Sequence, residues 1–158
     1  MTTGKLLRVA LLASASLITV SAFAEPVPQG GRKFTTVLSG QNEVSAAFPT
    51  GGAGDPDGTG TAAITVNVGQ QRVCWDITVN NISAPTRGHI HKAPVLVNGP
   101  IVVGFFEAAN VALKGCTSTT QPVDRRLLMD IIQHPSSYYV NVHNADFPAG
   151  AIRGQLSK

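Results

Sequence analysis

Between residues 61 and 68, Ala62, Ile64, Val66 and Val68 alternate with Thr61, Ala63, Thr65 and Asn67. That period of two belongs to a strand with one buried face. Gly69-Gln70 follows as a tight turn. Val73, Trp75, Ile77 and Val79 then alternate with Cys74, Asp76 and Thr78, so the two runs are predicted to pair as an antiparallel hairpin. Residues 34–38 open a β pattern, and further strands are expected over 87–92, 101–106, 137–143 and 151–156. Helical spacing occurs in one place, residues 123–133. There Leu127, Leu128, Ile131 and Ile132 recur at three- and four-residue intervals until Pro135 ends the run, and the helix reads as a connector rather than a core element. Residues 49–60, rich in Gly, Pro and Asp, are expected to form an irregular loop. Many short strands joined by Gly- and Pro-rich turns predict an all-β fold, a Greek-key-like antiparallel sandwich or barrel with one short connecting helix.

The longest apolar run lies elsewhere. Residues 6–20 follow Lys5 and Arg8 and precede Ala22-Phe23-Ala24, the n-region, h-region and small-x-small cleavage site of a secretory signal peptide over residues 1–24. Ser14, Ser16, Thr19 and Ser21 interrupt the run, which falls short of the roughly 20 residues of a membrane span. Glu25 is the expected first mature residue. Residues 25–33, with Pro26, Pro28, Gly30 and Gly31, read as a linker, and residues 34–158 as a single domain. The expected destination is periplasmic or extracellular, with no transmembrane segment left after cleavage.

Export changes how charge and cysteine are read. The formal charge of +3 includes Lys5 and Arg8, so the mature chain is nearly neutral. It has no row of cations for a phosphate backbone, which excludes nucleic acid as a partner. Two cysteines, Cys74 and Cys116, remain in an oxidising compartment and are expected to form a disulfide. Neither sits in a C-x-x-C motif, which leaves a redox role without support.

The densest polar feature is Gly88-His89-Ile90-His91. Residues two apart on a strand share a face, so both imidazoles point the same way. The same parity puts Tyr139, Asn141 and His143 on one face of residues 138–143, with Val140 and Val142 on the other; His143 is expected to point away from the packed side. If these strands are neighbours, His89, His91 and His143 converge on one first-row transition ion, copper or zinc, with an open position. The plainer reading has them tying strands together by hydrogen bonds. Asp55-Pro56-Asp57-Gly58-Thr59-Gly60 has alternating carboxylates, but the twelfth place from Asp55 is Val66 where a calcium loop needs Glu, so an Asp-stabilised turn is expected. Catalytic signatures are missing: there is no Gly-x-Ser-x-Gly elbow and no H-E-x-x-H. Asp146 and Glu107, the carboxylates nearest the histidines in sequence, read as surface or turn residues.

Several longer motifs together resemble the CHRD (chordin-type) domain, over about residues 34–156. They are Leu38-Ser39-Gly40-Gln41-Asn42-Glu43-Val44, the stretch from Gly54 to Ala62, and Gly88-His89-Ile90-His91 followed by Asn98-Gly99-Pro100-Ile101-Val102. The ending is the most specific: Tyr138-Tyr139-Val140-Asn141-Val142-His143-Asn144, then Phe147-Pro148-Ala149-Gly150-Ala151-Ile152-Arg153-Gly154-Gln155-Leu156. Ser45-Ala46 stands where the family often has prolines, and Ala151 where many members carry Glu, so no role of that carboxylate transfers here. The resemblance implies an extracellular or periplasmic β-sandwich module. A fainter similarity is to copper-zinc superoxide dismutases, whose H-x-H pair His89 and His91 would match. A two-metal site of that kind needs more histidines than His89, His91, His134 and His143, and His134 falls at the helix end.

Two functions are therefore expected to compete. The first is a non-enzymatic module that binds an unidentified protein or small ligand through the sheet face organised by His89, His91 and His143, with Asn141 and Arg153 as neighbours. Its alternative is a copper- or zinc-binding metalloprotein using the same histidines.

Overall fold

The computed structural model describes Met1, residues 30–108 and residues 110–157; the expected signal peptide, Met1 apart, and the expected linker up to residue 29 lie outside the described residues. Eight strands form one antiparallel sheet: β1 (Arg32–Ser39), β2 (Thr59–Asn67), β3 (Arg72–Asn80), β4 (Pro85–Lys92), β5 (Ile101–Phe106), β6 (Lys114–Cys116), β7 (Tyr138–Asn144) and β8 (Ile152–Gln155). Their order across the sheet is β5-β4-β7-β8-β1-β2-β3-β6. The two ends approach each other, and Trp75 on β3 stacks on Phe105 of β5 at 4.9 Å between ring centroids. The sheet is thus a nearly closed barrel, a shape that hides most of the exposed strand edge an open sheet would carry.

The hairpin read from the alternation is present in register, with Ile64 opposite Trp75 and Val66 opposite Val73. Its turn depends on other residues than Gly69. Gln71 takes the left-handed conformation at φ 51°, and Asn67 Oδ1 accepts from the Gln70 N–H at 2.9 Å, the local side-chain bond that suits Asn to turns. β1 begins two residues before the expected strand, because Arg32 and Lys33 pair with Val66 and Thr65. Cys74 and Cys116 lie directly opposite each other on β3 and β6 and are joined by the disulfide.

The inward faces of β1, β2, β3, β4, β5, β7 and β8 supply Phe34, Leu38, Ile64, Val73, Ile77, Ile90, Val103, Val140, Val142 and Ile152 to one continuous core. The helix, which connects β6 to β7, also adds to that core, which corrects the expectation that it is no core element. α1 (Arg125–Gln133) buries Leu128 and Ile131 completely, and its outer positions Arg125, Arg126 and Met129 stay exposed. Asp124 caps it, accepting from the N–H groups of Arg126 at 2.7 Å and Leu127 at 3.1 Å. Among the described residues no helix is long and apolar enough to cross a membrane.

Residues 40–58 depart from the barrel wall and fold back over it. Gly40 starts this excursion with its Cα so close to Asp55 that a Cβ would lie 1.8 Å from the Asp55 carbonyl oxygen, a contact only glycine permits. The segment is then pinned by Asp55 N–H to Ala151 O at 2.9 Å and by the Asp55–Gly58 turn at 3.2 Å. The turn expected from the aspartates is therefore present. What the excursion covers is the outer surface of β7 and β8, and every residue of β7 is buried on both sides.

Candidate metal centre

β4 and β7 are neighbours, as the convergence of the histidines requires. His89 is paired with Asn141, His91 with Tyr139 and Arg87 with His143. His89, His91 and His143 consequently lie on one face, and each presents a ring nitrogen within 4.8 Å of the others. The face differs from expectation in one respect. It points away from the barrel core, yet it is roofed rather than open: His89, His91, Asn141, His143 and Arg153 are all buried. The roof is made by residues 43–44, 97–100 and 147–151, none of which parity could place.

The roof also fixes the rings. His91 Nδ1 lies 2.9 Å from the Gly99 carbonyl oxygen and His143 Nδ1 lies 3.1 Å from that of Pro148. A carbonyl only accepts, so both Nδ1 atoms carry the hydrogen and both Nε2 atoms are bare. His89 is turned the other way, with Nε2 donating to Glu107 Oε1 at 3.2 Å and Nδ1 left to face His143 Nε2 at 3.1 Å. Burial pushes His143 down to about 4 and lowers His91 as well, so these two rings are neutral near pH 7. With neutral rings, the nitrogens left over are His89 Nδ1, His91 Nε2 and His143 Nε2, each ring held through its second nitrogen. That outer anchoring is the arrangement metal-bound histidines need.

A second layer supports the first. The Tyr139 ring stacks on His91 at 4.8 Å and nearly parallel, and the Arg153 guanidinium lies 4.2 Å from the same ring centroid. Because β4 and β8 flank β7 on opposite sides, Tyr139 separates Arg153 from His91. Tyr139 Oη accepts from the Gly99 N–H at 3.2 Å, holding the residue whose carbonyl orients His91. Arg153 in turn donates through Nη1 to Asn98 Oδ1 at 2.9 Å. Asn141 lies opposite His89, and Arg153 lies opposite Asn141 on the next strand.

Two further carboxylates enter. Glu107 is 67% exposed, as a surface carboxylate should be, and still reaches His89. Glu43 was given no role of its own by the sequence. It is buried against Asn141, whose Nδ2 donates to Glu43 Oε1 at 2.5 Å. Burial pushes its carboxyl up to about 7, against the opposing pull of Arg153 and of the Asn141 bond. Gly150 closes over this contact at φ 151°, and a Cβ there would lie 2.5 Å from Glu43 Oε1. Glu43 sits in a loop without periodicity, so its one sequence signal was its place in the Leu38–Val44 motif. His134 is elsewhere, bonded through Nδ1 to Asp130 Oδ1 at 2.8 Å. Asp146 bonds Ser83 and does not join the cluster. Ala151 is fully buried and uses its backbone N–H on Val142 O at 2.8 Å.

Together these features define a class: a small, disulfide-bonded antiparallel barrel that carries a roofed three-histidine cluster on the outer face of two adjacent strands. The family model for the CHRD domain matches residues 34–156, all eight strands except the first two residues of β1. The chain belongs to the CHRD domain family. Searches of curated proteins and of solved structures found no match.

Proposed function

We propose that this chain is an exported metal-binding module in which His89 Nδ1, His91 Nε2 and His143 Nε2 hold one copper or zinc ion. The observation that carries the reading is the meeting of His89 Nδ1 and His143 Nε2 at 3.1 Å while the other nitrogen of each ring already donates to an acceptor. Two lone pairs at that distance repel. A proton between them requires an imidazolium, which burial disfavours at His143 and which at His89 would place a buried charge against the exposed Glu107 carboxylate, or a ring that gives up the bond its other nitrogen makes to Pro148 or Glu107. A cation serves both nitrogens at once. Bonds of about 2.0–2.1 Å from a tetrahedral zinc place two nitrogens about 3.4 Å apart, close to the spacing present.

The donor set is all imidazole nitrogen, because both cysteines are consumed in the disulfide; this set suits copper and zinc better than calcium or magnesium. Three protein ligands leave a fourth position open. Burial of the histidine-bearing face also favours an ion over a protein partner there, since a protein would meet the roof loops first. Export is supported by the leader-like pattern of residues 1–24 and by the disulfide, which fits an oxidising compartment; a mature chain beginning at Glu25, read by intact mass, is the expected product.

Elemental analysis of protein produced with its leader tests the metal reading. About one equivalent of copper or zinc is expected, lost in the His89→Ala/His91→Ala double variant with the β-sheet circular dichroism retained. Less than a tenth of an equivalent, unchanged after copper titration, refutes the proposal.

A further inference from the structure

We infer that Asn141 selects what occupies the fourth position on the ion: its Oδ1 accepts a hydrogen bond from a small protic ligand, water first of all, and disfavours anions that bring only lone pairs. The inference rests on the three-histidine reading and goes beyond it by naming the class of ligand.

Asn141 is at the middle of the cluster. It lies directly opposite His89 on the neighbouring strand, two residues from His143 along its own strand, and diagonal to His91. It is 2% exposed. Above the Glu43 value of about 7 its amide has one defined orientation, because the ionised carboxylate only accepts and therefore takes Nδ2. Oδ1 is consequently turned away from Glu43, and it has no hydrogen-bond partner in the protein. An unpaired carbonyl in such a place is costly unless something donates to it.

The donors nearby are already committed or out of reach. Arg153, the cross-strand partner on the other side, gives Nη1 to Asn98 Oδ1 and Val97 O. Its Nη2 is itself without a partner and does not serve Asn141. His89 and His143 spend their ring hydrogens on Glu107 and Pro148. His91 Nε2 is likewise buried and unpartnered. The face therefore holds two orphaned acceptors: a nitrogen that needs a cation, and a carbonyl that needs a hydrogen. An ion carrying a water satisfies both, whereas an ion carrying an anion such as azide sets a lone pair against Oδ1.

The test is azide binding to the copper(II)-loaded full-length mature protein at pH 8.5, followed by the azide-to-copper charge-transfer band, with copper stoichiometry measured on the same samples. Asn141→Leu, which removes the acceptor, should bind azide about tenfold more tightly than wild type. Asn141→Asp, which keeps an acceptor and adds charge, should bind it about tenfold more weakly. Equal azide affinity in wild type and Asn141→Leu, with one copper in each, overturns the role of Asn141 and leaves the histidine site standing. Absence of copper from wild type overturns both. If Asn141→Leu fails to fold, Asn141→Asp decides: azide affinity equal to wild type refutes the inference. A purely architectural amide would alter stability without altering azide selectivity.

Discussion

Glu43→Gln in the metal-free protein should make folding stability climb steeply with pH over a range in which the wild type climbs only gently. Glu43 is buried, and its carboxyl is raised from 4.5 to about 7. A raised acid is bound in its neutral form by the fold, so its contribution is complete below pH 4.5 and is lost as pH rises towards 7. Those two and a half pH units amount to at most about 3 kcal/mol. His143 has the opposite sign. Its value falls from 6.5 to about 4, so the fold prefers the neutral ring, and its contribution is complete above pH 6.5 and lost as pH falls towards 4, again by at most about 3 kcal/mol. His91, also lowered by burial, adds to the His143 side. Between pH 4.5 and 6.5 the Glu43 slope of about 1.4 kcal/mol per unit opposes an equal slope from His143; His91 adds to the rise, and Asp55, raised by burial, subtracts from it at the acid end. Gln keeps a polar partner for Asn141 and cannot ionise. Urea unfolding in chelator at pH 4.5, 5.5, 6.5 and 7 reads the effect most cleanly as the difference between the two proteins, in which all other groups cancel. That difference should drift by about 1.4 kcal/mol per pH unit, in favour of the variant as pH rises. A difference constant to within about 0.5 kcal/mol across the series would refute the assignment of Glu43 as a buried, raised carboxyl.

The disulfide closes a sequence separation of 42 residues, and Cys74→Ala/Cys116→Ala should lose about 2–4 kcal/mol in urea unfolding; an unchanged midpoint would mean that the β3–β6 pairing does not depend on the bridge. Leu128→Ala should cost about 2–5 kcal/mol because Leu128 is fully buried beneath α1. The neighbouring Met129→Ala should stay within about 0.5 kcal/mol, since Met129 faces solvent. Equal small effects at both positions would restore the helix to a mere connector.

What the sequence could disclose depended on whether a signal was periodic. The β2–β3 hairpin was legible because Ile64, Val66, Val73 and Trp75 alternate on a face that is buried on one side only. β7 was half legible: parity sorted Tyr139, Asn141 and His143 from Val140 and Val142 correctly, but parity says nothing about a roof, and the polar set proved as buried as the apolar one. β6 has three residues, too few for any period to show, and it was missed. α1 gave its length and its stripe. Its place in the core was not legible, because Leu128 and Ile131 share that core with residues as far away in sequence as Phe34 and Ile64. Glu43 and the carbonyls of Gly99 and Pro148 were invisible for a related reason: a loop residue owes its function to where the loop lands.

That division bears on how the candidate site is built. The three histidines come from the regular part of the molecule, where register alone brings His89 and His91 beside the strand that carries His143. Their protonation comes from the irregular part, because Gly99 and Pro148 lie in loops and Glu107 just beyond the end of β5. A strand pair by itself would leave each imidazole free to choose its tautomer and to rotate into water. With the loops docked, each ring has one nitrogen committed, and the remaining three nitrogens are left to share one space. Local conflict of this sort is tolerated where the rest of the fold outweighs it. Here the weight is supplied by Glu43, Asn98, Tyr139 and Arg153, whose hydrogen bonds and stacking hold the roof down around the conflict. Metal binding should therefore stabilise the roofed face beyond the contribution of the metal–nitrogen bonds alone. The loop positions Gly99, Pro148 and Gly150 should govern affinity as strongly as the strand positions from which the ligands project.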